Sequence, residues 1–168
     1  MAITIGSSAS ASTSFSLTDI NNGASITLSD AASLSSSYSY GSGTNQITNA
    51  VSLTGQLSSG GFVSIDLYSL SQTTFGSTQS IQFTGIKHFN VFNTSTTAGY
   101  DFFVRATGTN ACTNLFNGGT GNLIVKPYSS FCYNDPYSGF VVSTGQRYIH
   151  LNDGGSGVAY KLIVLGLD

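Results

Sequence analysis

The segment Val158-Ala-Tyr-Lys-Leu-Ile-Val-Leu-Gly-Leu167 constrains the fold of this chain more than any other. Side chains of an extended strand point alternately to the two faces of a sheet. This segment is apolar at both sets of positions, and a strand of that kind must be covered on both faces. It therefore predicts a central strand with neighbouring structure packed over each side.

Upstream of this segment, short runs alternate apolar and polar residues as half-buried strands do. One run predicts a face formed by Tyr100, Phe102, Val104 and Ala106, and an opposite face formed by Asp101, Phe103 and Arg105. Similar alternation surrounds Val51, Val63, Ile81, Phe89, Leu123, Val141 and Ile149. Helical apolar stripes are absent beyond about ten residues. The pattern predicts a single all-β domain of jelly-roll or β-sandwich type.

Two parts of different composition are expected along the chain. Residues 1–43 are rich in Ser, Thr and Ala and predict an N-terminal arm with short strands near Phe15 and Ile26. Residues 44–168 predict the sandwich or jelly-roll body. We expect the arm to pack on its own body or on a neighbouring subunit. The Gly- and Asn-rich segment from Gly108 to Asn122 predicts an exposed contact loop.

Charge is scarce and excludes one class of partner. The 168 residues carry 5 basic and 7 acidic side chains, and every basic residue lies at or after Lys87. Nucleic-acid binding depends on Lys and Arg that neutralise phosphates. Dispersed cations supply that poorly, so direct charge-driven nucleic-acid binding is not expected.

The start of the chain and the cysteine count bear on the compartment. Met1-Ala-Ile-Thr-Ile-Gly6 has neither the positive n-region nor the apolar stretch of a signal peptide. No window approaches the ~20 apolar residues of a membrane span. We therefore expect cytoplasmic synthesis and no membrane partner. In that compartment Cys112 and Cys132 are expected to be buried free thiols, with one disulfide as the alternative.

Motifs that would carry chemistry are missing. Asp153-Gly-Gly-Ser-Gly157 lacks the Lys and Ser/Thr of a phosphate-binding loop and predicts a hairpin turn between Leu151 and Val158. His88 and His150 alternate with apolar neighbours, which predicts surface or interface positions. No His, Cys and Asp set has metal-ligand spacing. No Gly-x-Ser-x-Gly elbow is present. We expect no catalytic, cofactor-binding or metal-binding residue.

Two groups of side chains suggest contacts instead. Asp101 and Arg105 flank Phe103 on one strand face, where a cross-strand or intersubunit ion pair would fit, the alternative being a solvated pair. Six tyrosines lie in or near predicted loops: Tyr38, Tyr40, Tyr68, Tyr128, Tyr133 and Tyr137. Tyrosine is enriched at protein interfaces and also stacks on sugar rings. These residues are candidates for either role, or for filling the rim and core.

Four segments carry a resemblance to a class of known proteins. They are Ser58-Ser-Gly-Gly-Phe-Val-Ser-Ile-Asp-Leu67, Phe83-Thr-Gly-Ile-Lys-His-Phe-Asn-Val-Phe-Asn-Thr94, Leu123-Ile-Val-Lys-Pro-Tyr128 and Ala159-Tyr-Lys-Leu-Ile-Val-Leu-Gly166. Their order resembles that of small all-β structural proteins of bacteriophages: capsid, decoration and spike subunits. The resemblance rests on strand patterns over about two-thirds of the chain and does not include the arm. It implies a virion protein that assembles after synthesis in the host cytoplasm.

The sequence thus predicts a non-enzymatic structural subunit of a viral particle, with other copies of itself and other virion proteins as partners. Low charge suits such packing, because identical subunits then repel each other weakly. One alternative is an extracellular filament subunit joined by strand addition. Another is a glycan-binding module that uses the loop tyrosines on a host-surface glycan. An enzyme is the third and least expected reading.

Overall fold

The structure, a computed structural model, describes residues 7–21, 24–74, 77–119 and 121–168. The described part consists of strands and connecting turns, with a single 3₁₀ turn at Thr113–Phe116, so the predicted all-β class is confirmed. The strands are β1 (Ser7–Asn21), β2 (Ala24–Tyr40), β3 (Gln46–Ile47), β4 (Asn49–Gln56), β5 (Phe62–Asp66), β6 (Leu70–Thr74), β7 (Ser77–Ile81), β8 (Gly85–Asn93), β9 (Phe102–Arg105), β10 (Asn122–Val125), β11 (Ser130–Asn134), β12 (Phe140–Val141), β13 (Tyr148–Asp153) and β14 (Ala159–Leu167).

Two antiparallel sheets form the body. Sheet I has the order β11-β8-β14-β4, with β12 also paired to β8. Sheet II has the order β10-β9-β13-β5. Their inner faces meet in one apolar cluster, which makes the body a sandwich-like single domain.

The core consists of the apolar side chains at alternate positions along the strands, as the sequence pattern predicts. Sheet I contributes Phe89, Val91, Leu162 and Val164, and sheet II contributes Phe102, Val104, Ile149 and Leu151, all 0% exposed. Burial of each such side chain stabilises the fold by about 1.5–3 kcal/mol. The outward positions between them remain free to form surfaces.

Strand β14 is central, as predicted, because it lies between β8 and β4. Its outer face is covered only at one end. There Leu165 is 3% exposed and packs with Tyr38 and Ile47. Lys161, at the other end of the strand, is exposed. The prediction of cover over the whole strand was therefore wrong for the Lys161 end.

The arm forms longer strands than the sequence predicts. β1 and β2 pair antiparallel from Ser7↔Tyr38 to Asn21↔Ala24. The end of β2 then pairs in parallel with β3, and Tyr38 and Ile47 pack on Leu165 of sheet I. The division between residues 43 and 44 stays a prediction. The last residues of the arm nevertheless belong to the packing of the body.

Two predicted connections differ from the structure. Asp153–Gly157 is not a hairpin turn, because β13 lies in sheet II while β14 lies in sheet I. The turn instead carries the chain from one sheet to the other. The segment from Gly108 to Asn122 is not wholly exposed either. Cys112 and Leu115 are 0% and 7% exposed, because the 3₁₀ turn inserts them into the core.

Candidate functional site

The outer face of sheet II carries a set of aligned aromatic side chains. Alternation places Phe62, Phe103, Ile124, Tyr148 and His150 on this side, and we call them the aromatic face. Register aligns three of them in one row, since Ile124 pairs with Phe103, and both Phe103 and Phe62 pair with Asn152. Phe62 is 68% and Ile124 55% exposed, so apolar surface lies open on both edges of the sheet.

Ring contacts hold the middle of this face in place. The ring of His150 lies 6.3 Å from that of Phe62, edge to face, and 6.4 Å from that of Tyr148, nearly parallel. His150 Nδ1 shares a 2.9 Å hydrogen bond with the Ser64 hydroxyl. Side chains fixed in this way lose little conformational entropy when a partner binds.

An ion pair between Arg147 and Asp66 lies beside the ring of Tyr148. The Arg147 guanidinium donates two hydrogen bonds to the Asp66 carboxylate. It also lies 5.1 Å from the Tyr148 ring centroid and 5.3 Å from that of Tyr68. The hydrogen bonds to Asp66 raise the pKa of Arg147 above its ordinary value. The two charges neutralise each other, so the Arg147–Asp66 pair adds no net charge to the aromatic face.

The charged residues singled out from the sequence have different partners. Asp101 accepts a 2.5 Å hydrogen bond from Lys126. The cross-strand ion pair suggested by the sequence therefore joins Asp101 to Lys126. Arg105 takes no part in it. Its guanidinium lies 4.8 Å from the Phe103 ring centroid, and its Nε donates to Asn122 Oδ1 at 3.2 Å. Arg105 thus extends the aromatic face.

His88 is buried, so of the two positions predicted for it, surface or interface, the surface one was wrong. A β-bulge opposite Leu165 and Gly166 makes Lys87 an extra residue of β8. His88 is 5% and Lys87 1% exposed, because the end of the arm covers them. The Lys87 ammonium donates to the Gly43 carbonyl at 2.5 Å. Burial lowers the pKa of His88, against a smaller opposite effect of its hydrogen bond with Asn134.

The Tyr38 hydroxyl fixes the arm over this buried pair. It donates to Asn134 Oδ1 at 2.6 Å, and Asn134 Nδ2 donates to the Ser36 hydroxyl at 2.9 Å. Tyr38 is 3% exposed, and burial is the main cause that raises its pKa. This tyrosine is a structural contact of the arm. It does not belong to an exposed loop.

The other loop tyrosines divide into two groups. Tyr40, Tyr128 and Tyr137 are 60%, 77% and 72% exposed. Tyr68 and Tyr133 are half-buried against the core. Burial and the nearby Asp135 carboxylate raise the pKa of Tyr133 to about 12. Only the first group presents rings that a ligand or a partner could contact.

The two cysteines lie in different environments. Both are free thiols, Cys112 buried and Cys132 exposed, so the expected burial is wrong for Cys132. Burial raises the pKa of Cys112 to about 11. Burial also raises the pKa of Cys132. The thiol form therefore dominates at neutral pH, which makes both poor nucleophiles.

Backbone N–H groups of two turns bind the Asp153 carboxylate. Asp153 Oδ2 accepts backbone hydrogen bonds from Gly60, Gly155 and Gly157 at 2.7, 2.9 and 3.0 Å. Burial alone would raise the pKa of Asp153, but these N–H groups outweigh it and lower the pKa. The carboxylate thus joins the turn before β5 to the turn before β14. It is a structural bond between the two sheets.

No three His, Cys, Asp or Glu side chains among the described residues lie together as metal ligands would. No helix in the described ranges is long and apolar enough to cross a membrane.

Comparisons with known proteins include a distant structural neighbour. No protein-family model matches the chain. No curated protein sequence matches it. Among solved structures, the mitogen derived from Yersinia pseudotuberculosis is similar at a TM-score of 0.38 and 17% identity, over 71% of this chain and 87% of that one.

Proposed function

We propose that this protein is a non-enzymatic structural subunit of a viral particle and that copies of it associate through the aromatic face. The observation that carries the proposal is the open apolar surface of Phe62 and Ile124 on a rigid sheet face. Exposed apolar patches on a folded surface mark interaction sites.

The composition of the face fits a protein partner. Interfaces are enriched in Tyr, Phe and Arg and depleted in Lys and Glu. The aromatic face has Phe62, Phe103 and Tyr148, with Arg105 and Arg147 beside them, and the chain has no glutamate. Tyrosine and arginine are also among the side chains that most often dominate binding energy.

The charge of the chain favours a second copy as that partner. The net charge is -2 at pH 7, so copies repel each other weakly. Asp66 is neutralised by Arg147 beside the face, which leaves no unpaired carboxylate there to oppose another copy. The resemblance of the strand pattern to bacteriophage structural proteins supports placing this assembly in a virion.

The mass of the full-length protein in solution tests the proposal. By light scattering we expect a defined oligomer or particle for the native chain. Phe62→Ser combined with Ile124→Ser should reduce it to single chains, because the exposed apolar surface is lost. Tyr137→Ser, which removes an equally exposed ring outside the face, should leave the mass unchanged. A native chain that stays monomeric at all concentrations would refute self-assembly.

A further inference from the structure

A second surface lies on the outer face of sheet I, on the opposite side of the sandwich from the aromatic face. An open groove of about 430 Å³ is formed there by Phe92, Tyr128, Lys161, Ile163 and their neighbours. Pockets for small molecules commonly begin at about 300 Å³. The groove is therefore large enough for one or two sugar rings.

The floor and rim of the groove differ in polarity. Lys161 pairs directly with Phe92 across β14 and β8, and Ile163 follows on the same face. Phe92 and Ile163 supply a half-buried apolar floor. Thr94 and Ser129 place hydroxyl groups on the rim. A pyranose has the matching character, since one face of the ring presents C–H groups and its edge presents hydroxyls.

Tyr128 is held in an unfavourable backbone conformation at the edge of this groove. Its φ is 59°, a left-handed value that a bulky residue rarely adopts. The turn is closed by the Ser129 N–H and hydroxyl, which both donate to the Lys126 carbonyl at 3.1 and 2.7 Å. Tyr128 is the third residue of this Lys126–Ser129 turn, and a positive φ at that position is normally found with Gly or Asn. Strain of this kind concentrates at binding sites, and here it presents a ring that is 77% exposed.

A buried asparagine fixes the wall behind the ring. Asn93 is 2% exposed, and its Nδ2 donates to the Tyr100 and Val125 carbonyls at 2.7 and 3.0 Å. Its backbone N–H donates to the Ser129 carbonyl at 2.9 Å. The strand, the Tyr128 turn and the following loop are thereby tied together. The groove is preorganised, which reduces the entropy lost on binding.

The charge in the groove selects the ligand. Lys161 is exposed, and no carboxylate among the described residues lies within ion-pairing distance of it, since the ion pairs there are Lys126–Asp101 and Arg147–Asp66. No acidic residue lines the groove. An unpaired ammonium beside an aromatic ring is complementary to a carboxylate carried on an apolar ring face.

We propose that this groove binds an acidic saccharide, with the sugar ring stacked on Tyr128 and its carboxylate paired with Lys161. This site does not depend on the proposed assembly, because it lies on the other sheet. The virion subunit would in that case also contact a glycan. Binding and oligomeric mass are measured separately, so either proposal can fail alone.

Two sugars that differ only at one carbon test the site. Methyl β-D-glucuronide carries a carboxylate where methyl β-D-glucoside carries a hydroxymethyl group. Saturation-transfer NMR on the full chain should give a dissociation constant about tenfold lower for the glucuronide, the difference expected of one charge-assisted hydrogen bond. Equal dissociation constants, or no saturation by either sugar, would overturn the proposal.

Three variants separate the roles of the residues. Lys161→Gln should abolish the preference for the glucuronide, so that the two sugars bind with equal dissociation constants. Tyr128→Gly should weaken the binding of both sugars about tenfold. Glycine adopts a positive φ without strain, so the thermal unfolding midpoint of this variant should not fall below that of the native chain. Tyr137→Ala, a matched exposed ring elsewhere, should bind like the native protein. Unchanged binding by Tyr128→Gly would also overturn the proposal.

Discussion

At the scale of single residues, burial depends on the register between strands as well as on alternation. Phe102 and Val104 are buried as their alternation predicts. His88 alternates in the same way, yet the bulge at Lys87 and the cover supplied by Tyr38 bury it. Neither a bulge nor a covering arm leaves a signal in the local sequence. The same reasoning therefore succeeded for β9 and failed for His88.

The burial of His88 predicts a loss of stability in acid. Its pKa is lowered in the folded protein and returns to about 6.5 in the unfolded chain, so the unfolded chain binds more protons between these values. The free energy of unfolding should be constant above about pH 6.5 and fall as the pH drops below it. Urea unfolding across pH 5 to 8 measures this dependence.

A pair of histidine variants identifies the group responsible. His88→Gln should flatten the dependence of the urea midpoint on pH between about pH 5 and 7. His150→Gln, which removes the other histidine, serves as the matched control and should retain the slope. If both variants keep the native slope, the buried imidazole is not its source.

Gly166 predicts a second effect at this scale. A Cβ there would lie 2.2 Å from the Gly85 carbonyl oxygen and 2.9 Å from a Phe83 ring carbon, because the two strands approach closely at the bulge. Gly166→Ala should lower the free energy of unfolding by about 1–3 kcal/mol, the cost of overpacking. Denaturant unfolding measures it. Gly145→Ala, where a Cβ meets nothing within 4 Å, should be nearly neutral.

At the scale of elements, the presence of a strand is easier to predict from the sequence than the way in which strands are connected. The apolar segment Ala159–Leu167 forms a central strand of sheet I, as expected. The Asp-Gly dipeptide at Asp153 predicts a hairpin, but β14 returns to the other sheet. Hairpin and inter-sheet turns use the same residues, because both need flexible backbone. Their difference is decided by which strands pair.

The end of the arm predicts how far the chain can be shortened. A chain that begins at Ser35 keeps Ser36, Tyr38 and Gly43, whose groups cover or bind Lys87, His88 and Asn134. A chain that begins at Thr44 loses them and exposes Leu165. Thermal unfolding should therefore show a lower midpoint for the second than for the first. Equal midpoints would mean that the end of the arm contributes nothing to the body.

At the scale of the whole molecule, the candidate site exists only in the folded chain. The aromatic face combines residues of β5, β9, β10 and β13, which lie far apart in sequence. Alternation gives the outward side of each strand, but the order of strands cannot be derived from it. The sequence therefore predicts association through aromatic surfaces without locating the surface. The groove beside Tyr128 was missed for the same reason.

Hydrogen exchange on the full-length protein at low and high concentration tests association through the aromatic face most directly. β5 and β10 are the edge strands of sheet II, so amide groups along their free edges exchange readily unless a partner covers them. We expect exchange in Phe62–Asp66 and Asn122–Val125 to slow as concentration rises, with β11 on sheet I unchanged. No concentration dependence, or slowing confined to β1 and β2, would contradict association through this face.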